Sequence, residues 1–180
     1  MQKSSSSSSL MVRQEFCTKW KKGLQIYSAY NKEMTIMERK RAIKLSADVA
    51  IAATRSSTTQ WSRAVVADVS TSAAGAARIA AEEILGRKLS TERRKKIVRR
   101  RRRRKGAVSS SAAAVAKRVV WNRRRVLKRL IPGSGWKKLD ETSLIKETLD
   151  YIASLQVQVD VMRHLANAAE TCLHHQQILL

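Results

Sequence analysis

The chain has 180 residues and carries 37 Lys and Arg against 14 Asp and Glu, a formal net charge of +23. This excess predicts attraction to polyanions such as nucleic acid, and a composition with few aromatic and many Ala and charged residues favours helices over a β-sandwich. Two cysteines far apart in sequence do not indicate a disulfide framework. The sequence shows no secretory signal and no run of about 18 apolar residues, so we expect neither secretion nor a transmembrane helix.

The first half of the chain predicts a disordered head and then a helical region. Residues 1–12 include six consecutive serines, and this low-complexity composition predicts disorder. In residues 13–88 apolar side chains recur at helical spacing. The first helix is expected around Phe16, Trp20, Leu24 and Tyr27. A second is expected from about Glu33 to Thr54, with an apolar side made of Ile36, Ile43, Ala47 and Ile51.

A third helix is expected to begin near Trp61, with Thr59 as its N-cap and Gly86 as its stop. Gly75 would lie inside this helix, where glycine costs about 1 kcal/mol relative to alanine. The expected apolar positions are Trp61, Val65, Val69, Ala76, Ala80 and Ile84. These faces are narrow and rich in alanine, so the segments either pack as a small helical unit or stay partly unformed until a partner binds.

The region 91–105 is the most basic part of the chain. Eleven of the thirteen residues from Arg93 to Lys105 are Lys or Arg. An ordinary charge run is a solvated face, but this density exceeds what solubility requires, and it predicts a nuclear-import signal or a polyanion contact. The residues concerned are Arg93, Arg94, Lys95, Lys96, Arg99, Arg100, Arg101, Arg102, Arg103, Arg104 and Lys105.

Two further helices are expected after an uncharged stretch at residues 106–116. The first runs from about Ala112 to Ile131, where Pro132 and Gly133 end it. After a short link, Asp140 is the expected N-cap of the second helix, and a tail follows at residues 167–180.

The second of these helices has the clearest periodicity in the chain. Its apolar positions alternate at three and four residues, as in a heptad seam: Ile145, Thr148, Ile152, Leu155, Val159, Met162 and Ala166.

Two helices joined by a short loop are too small to enclose a core, and leaving this seam in water would forfeit on the order of 10 kcal/mol. We therefore expect a second copy or a similar chain to complete a four-helix bundle. The alternative is that the seam packs on the chain's own N-terminal helices. The predicted dimerisation residues are Val120, Leu127, Leu130, Ile131, Leu144, Ile145, Thr148, Leu149, Ile152, Leu155, Val159 and Met162.

Residues 109–166 resemble the basic helix-loop-helix (bHLH) family. The resemblance is carried by "RRVLKRLIPG", a short loop, and "LDETSLIKETLDYIASLQVQVDVM". It implies a parallel four-helix dimer in which the residues before the first helix enter the major groove of DNA.

The positions that contact DNA in that family are degenerate in this chain. DNA-binding members carry His-x-x-x-Glu-Arg-x-Arg-Arg before the first helix. Counted back from Pro132, this pattern falls on Ser109, Ala113, Ala114, Ala116 and Lys117. Only Lys117 keeps the expected character, and an alanine cannot accept hydrogen bonds from bases or hold phosphates as Glu and Arg do. Arg124 is a second departure, because many members have an apolar core residue there.

The N-terminal half adds a narrower resemblance, carried by "WKKGLQIYSAY" and "RAIKLSADVAIAATRSSTTQWSRAVV" followed by the Arg-rich run. These segments are similar to the plant atypical, non-DNA-binding bHLH proteins of the increased-leaf-inclination-binding (IBH-like) and AIF group. The resemblance implies a nuclear regulator of transcription that pairs with other HLH or bHLH proteins, as a heterodimer or homodimer. It further implies that this protein restrains growth-promoting, brassinosteroid-linked transcription.

No constellation of residues predicts catalysis, a cofactor or a metal site. His164, His174 and His175 lie near Cys172, but adjacent histidines on a helix point about 100° apart and no second ligand cluster exists. We therefore expect no enzyme activity, cofactor, metal, small-molecule substrate or membrane contact. The four tryptophans, Trp20, Trp61, Trp121 and Trp136, are interpreted as packing residues.

Three hypotheses for function follow. The first is a regulator that acts by HLH dimerisation, with only weak, non-specific nucleic-acid binding of its own. The second is a sequence-specific DNA-binding bHLH factor that acts as a heterodimer. The third is a general nucleic-acid or polyanion binder, which would have no need of a dimer seam.

Overall fold

The computed structural model describes residues 3–30, 34–55, 58–90, 112–133 and 140–178, and within them the side chains of residues 10–172. Over these ranges the only regular secondary structure is α-helix, which confirms the predicted all-α class. The helices are α1 (Lys3–Ala29), α2 (Ile36–Thr54), α3 (Gln60–Ser72), α4 (Gly75–Leu85), α5 (Ala112–Leu130) and α6 (Glu141–Ile178).

Helices α1 to α4 pack as one N-terminal unit around large buried side chains. Phe16 and Trp20 of α1 stack with their ring centroids 5.6 Å apart, and the indole N–H of Trp20 donates to the hydroxyl of Ser46 at 3.0 Å. The same core includes Trp61 of α3 and Ile84 of α4. The N-terminal segments therefore form a packed helical unit, which was one of the two alternatives left open by the sequence.

Capping residues fix several helix ends where the sequence predicts them. The Thr59 hydroxyl accepts from the Ser62 amide at the start of α3, and an Asp140 carboxylate oxygen accepts from the Ser143 amide at the start of α6. Gly86 ends α4 in the left-handed conformation, with a φ of 63°. These three predictions are confirmed.

The prediction of one continuous third helix is wrong. The chain is extended at Ala73 and Ala74, and Gly75 starts α4 with a φ of 54°. A straight helix would carry its second half into solvent. The break instead lets α4 fold back against α1 and α2, where Ala80, Ala81 and Ile84 become buried.

Two other N-terminal expectations also differ from the structure. Ile36 and Ile43 of α2 are 72% and 39% exposed, because the buried side of that helix instead runs through Ala42, Ser46 and Val49. The predicted disordered head, residues 1–12, is helical from Lys3 onwards. Once Phe16 and Trp20 anchor α1, adding residues to an existing helix costs less than nucleating one, which accounts for this extension.

The tryptophans do not all pack in the core. Trp20 and Trp61 are buried, as predicted, whereas Trp121 of α5 is half exposed, with the guanidinium carbon of Arg125 5.5 Å from the centroid of its ring. Trp136 lies outside the described residues.

Candidate dimerisation surface

Helix α6 has two faces with different surroundings. Its inner face lies against α1, α2 and α3, and its outer face is turned to solvent. The inner face combines apolar residues that pack on the core, among them Leu144, Tyr151 and Met162, with polar residues. The polar positions recur at three and four residues: Glu147, Asp150, Ser154 and Gln158.

Glu147 of α6 caps the start of α3. Its carboxylate oxygens accept hydrogen bonds from the backbone amide of Gln60 at 2.9 and 3.0 Å and from that of Trp61 at 3.2 Å. These amides belong to the first turn of α3 and have no partner within the helix, and the positive end of the helix dipole favours a carboxylate there. Glu147 thereby fixes α6 to the N-terminal unit.

Asp150 and Ser154 continue this contact along α6. Asp150 accepts a hydrogen bond from the Trp61 indole N–H at 2.8 Å and pairs with Arg55 at 3.2 Å. The Nε of Arg55 also donates to the Ser154 hydroxyl at 3.1 Å. The ring of Tyr151 lies 5.1 Å from that of Trp61, and burial, followed by the charge of Asp48, raises the pKa of the Tyr151 phenol.

Further along α6 the polar contacts reach α2 and α1. The side-chain amide of Gln158 donates to Asp48 at 3.2 Å, and Asp160 pairs with Arg13 at 2.5 Å. The polar contacts of the inner face thus include two arginines of the N-terminal unit, each paired with an aspartate of α6.

The outer face of α6 carries an apolar stripe at helical spacing. It consists of Ile145 (56% exposed), Leu149 (62%), Ile152 (46%) and Val159 (44%). We call these four residues the outer stripe. All four belong to the predicted dimerisation set.

The structure divides the predicted seam between the two faces. The outward members Ile145, Ile152 and Val159 are exposed, whereas Thr148, Leu155 and Met162 are half-buried. Leu144 is fully buried and belongs to the same core cluster as Trp61. Part of the seam therefore packs on the chain's own N-terminal helices, and part of it is left uncovered.

Helix α5 contacts the rest of the chain mainly at its carboxyl end. Ile131 is buried, Leu127 is half-buried, and Arg124 pairs with Glu141 at 2.9 Å. None of the residues of α5 itself is buried, and the predicted residues Val120 and Leu130 are exposed.

The predicted DNA-contacting positions lie at the amino end of α5. Ala113, Ala116 and Lys117 are exposed in its first turns and Ala114 is half-buried, while Ser109 lies outside the described residues. The whole basic run of residues 93–105 also lies outside them.

The described part of the chain contains no group of three His, Cys, Asp or Glu side chains arranged to hold a metal ion. His164 and Cys172 are both exposed on α6, and the side chains of His174 and His175 lie beyond the described residues. Among the described helices, none is both long and apolar enough to cross a membrane.

Comparison with known proteins identifies the family. Residues 9–73 match the family model "IBH1-like, N-terminal domain". This range begins inside α1 and ends just after α3. The chain is also 43% identical over 170 residues to Transcription factor IBH1-like 1 of Arabidopsis thaliana, an alignment that covers 88% of this chain and 94% of that protein. The chain belongs to the IBH1-like family. No solved structure matches it.

Membership in the IBH1-like family confirms the IBH-like resemblance of the sequence and supports a role in transcriptional regulation. The matched family model covers α1 to α3 of the N-terminal unit, whereas the alignment with the Arabidopsis relative is long enough to extend into α6.

Sequence reasoning missed both the polar inner face of α6 and part of the apolar surface of α5. Exposed apolar side chains of α5 at four- and seven-residue spacing, outside the predicted set, are Val115, Val119 and Val126. Their spacing is a signal that could have been found. The polar repeat of α6 was also visible, but its partners lie 86 to 110 positions away in sequence.

Proposed function

We propose that this IBH1-like protein is an atypical HLH regulator of transcription that acts in the nucleus. It pairs through α5 and α6 with other HLH or bHLH proteins and does not contact DNA bases itself. By occupying such partners it restrains growth-promoting, brassinosteroid-linked transcription. The proposal assigns it no enzymatic activity and no cofactor.

The observation that carries the proposal is the outer stripe. Isolated exposed apolar residues are normal on a protein surface, but a row of four on one helix face marks an interaction surface. Full burial of an Ile, Leu or Val contributes about 1.5–3 kcal/mol, so covering four half-exposed side chains would stabilise a complex by several kcal/mol. A partner helix is the element that such a spacing fits.

The absence of base contact is supported by the exposed surface at the start of α5. Ala113 and Ala116 offer only methyl groups at positions where bHLH proteins that bind DNA carry Glu and Arg. Methyl groups cannot satisfy the hydrogen-bonding groups at the edges of cytosine, adenine or guanine.

A second candidate, DNA contact within a heterodimer, is favoured by the positive surface of α5. Helix α5 contains seven basic residues and no acidic one, and five of the seven are exposed: Lys117, Arg118, Arg123, Arg125 and Arg129. Such a surface would bind phosphates without selecting a sequence, and its affinity would fall steeply as salt rises.

The first experiment tests partner binding. Ile145→Asp combined with Ile152→Asp places two charges in the outer stripe, and burying them against a partner is costly. We expect at least a hundredfold loss of affinity for purified HLH proteins in isothermal titration calorimetry. The control is Lys146→Asp combined with Ala153→Asp, which places two carboxylates on exposed residues of the same helix beside, rather than on, the stripe. Equal affinity of the stripe variant and wild type would contradict the proposal.

The second experiment separates the two candidates. At about 150 mM salt, we expect the purified protein to bind a CANNTG duplex no more than about threefold better than a scrambled one. Mixed with a DNA-binding bHLH partner, it should lower the partner's affinity for the duplex at least tenfold, because each lost base contact costs about 1–3 kcal/mol. A hundredfold preference of the protein or the mixed dimer for the intact duplex would favour the DNA-binding candidate.

A further inference from the structure

Some α6 residues that were predicted to bind a partner helix are covered by the N-terminal unit. Leu144, Thr148, Leu155 and Met162 belong to the predicted dimerisation residues, the last three to the heptad seam, and all four are buried or half-buried in this chain. Leu144 and Met162 pack in the core cluster that contains Phe16 and Trp61 of the N-terminal unit. A partner helix that used the whole seam would need this same surface.

The contact that holds the N-terminal unit on α6 is rich in polar pairs. The pairs are Arg55 with Asp150 at 3.2 Å, Arg13 with Asp160 at 2.5 Å, Gln158 with Asp48 at 3.2 Å, and Glu147 with the amides at the start of α3. We call these pairs the α6 latch. The Arg13 and Asp160 side chains are each 40% exposed, so this pair is in contact with water and contributes little to stability.

We infer that the N-terminal unit and an HLH partner compete for the inner half of the α6 seam, and that partner binding opens the α6 latch. This inference rests on the proposed function. The outer stripe is exposed and offers a first contact without any rearrangement. The remaining seam residues become available only when the N-terminal unit moves off α6.

The chemistry of the latch suits a reversible contact. Opening it exchanges the partly exposed ion pairs, and the hydrogen bonds of Glu147 and the buried Gln158, for bonds to water. It also uncovers apolar residues that pack on the core, among them Leu144, Tyr151 and Met162. The partner in turn covers apolar seam residues that the N-terminal unit had covered. An HLH partner therefore covers the inner half of the seam only when the free energy of its contacts with α6 exceeds that of the contacts between α6 and the N-terminal unit.

The test releases the latch and measures partner binding. Arg13→Ala combined with Arg55→Ala removes both arginines of the latch. Lys21→Ala combined with Lys22→Ala is the matched control, because it removes the same charge from exposed positions of α1 that face away from the latch pairs. Full-length proteins are titrated with a purified HLH protein, and circular dichroism checks that each variant keeps its helix content.

We expect the latch variant to bind the partner at least fivefold more tightly than wild type, and the control to bind like wild type. Equal or weaker binding by the latch variant would overturn the inference. The N-terminal unit and the partner would then bind separate surfaces of α6, or the N-terminal unit would help the partner to bind. Absence of partner binding by all the proteins would contradict the proposed function itself, and the inference with it.

A second measurement does not depend on any substitution. In wild type, the amides of Gln60 and Trp61 donate to Glu147. Competition predicts that hydrogen exchange at these two amides becomes at least tenfold faster when the partner is bound. Unchanged or slower exchange in the complex would overturn the inference even if the latch variant failed to fold.

Discussion

Gly133, in the turn after α5, touches the N-terminal unit at a point where a side chain does not fit. Its φ is 75°, a left-handed conformation that residues with a Cβ rarely adopt. A Cβ at this position would overlap the Cβ of Ala64 and lie 3.3 Å from the carbonyl oxygen of Gln60, both on α3. The turn after α5 is therefore seated directly on α3, close to the end that Glu147 caps.

Gly133→Ala tests this close approach. The left-handed conformation alone costs about 1–2 kcal/mol for alanine, and the overlap with α3 adds an overpacking cost of about 1–3 kcal/mol. Gly86→Ala is the control, because Gly86 has a φ of 63° but nothing within 4 Å of the added Cβ. In chemical denaturation, Gly133→Ala should lower the free energy of unfolding more than Gly86→Ala does. Equal losses would mean that the turn does not rest on α3 in solution.

At the scale of the helices, end groups decide where each element starts. Helix α2 begins with a capping box: the backbone amide and hydroxyl of Thr35 both donate to Glu38, at 2.8 and 2.7 Å, and the Thr35 hydroxyl accepts from the amide of Glu38. The hydrogen bonds from the backbone and then the side chain of Thr35 lower the pKa of the Glu38 carboxyl. The ionised form of Glu38 is thus the one that stabilises α2.

The lowered pKa predicts a pH dependence with a defined sign. Because the folded-state pKa of Glu38 lies below its unfolded value of about 4.3, its contribution is complete above that value and is lost as pH falls through the folded-state pKa. Glu38→Gln should lower Tm at pH 6, and the difference from wild type should shrink at pH 3. Glu170→Gln, which changes an exposed carboxylate of α6, serves as the control. A Tm difference for Glu38→Gln that stays constant between pH 6 and pH 3 would contradict this role.

Across the whole molecule, charge is separated along the chain in a way that suits the proposed roles. Residues 92–105 hold eleven basic side chains, whereas residues 137–180 hold four basic and six acidic ones. Three of those acidic residues, Glu147, Asp150 and Asp160, face the N-terminal unit. In the sequence, the strongest positive charge is therefore concentrated between the N-terminal unit and α5.

Nuclear import should depend on this basic run. Replacing Arg99 to Arg104 with alanine, in a fluorescent fusion too large for passive diffusion, should reduce nuclear accumulation severalfold, because import signals consist of clustered Lys and Arg. A variant in which Lys117, Arg118 and Arg123 of α5 are alanine tests whether any basic cluster suffices. Undiminished accumulation of the first variant would assign import to another segment.

The sequence alone determined the features that depend on near neighbours in the chain. Thr59, Gly86 and Asp140 mark helix ends because a cap is satisfied within about one turn, and the all-helical class follows from composition and periodicity. The N-terminal segments also indicate the IBH1-like family, because their motifs are contiguous stretches of sequence. The sequence failed to predict the helix break at Ala73 and Ala74. The apolar spacing continues through these residues, and the break is explained only by the packing of α4 against α1 and α2.

The tertiary structure alone decided which neighbour each face of α6 has. Its apolar seam predicts a partner helix but cannot say whether that helix belongs to the same chain. Glu147 meets the start of α3 across 86 to 87 positions of sequence, and Gln158 meets Asp48 across 110. Such pairs depend on how α1 to α4 fold, and no local propensity contains that information. The structure places Leu144 and Met162 against the N-terminal unit and leaves Ile145 and Ile152 outside, because a helix that packs on one side buries only the residues on that side.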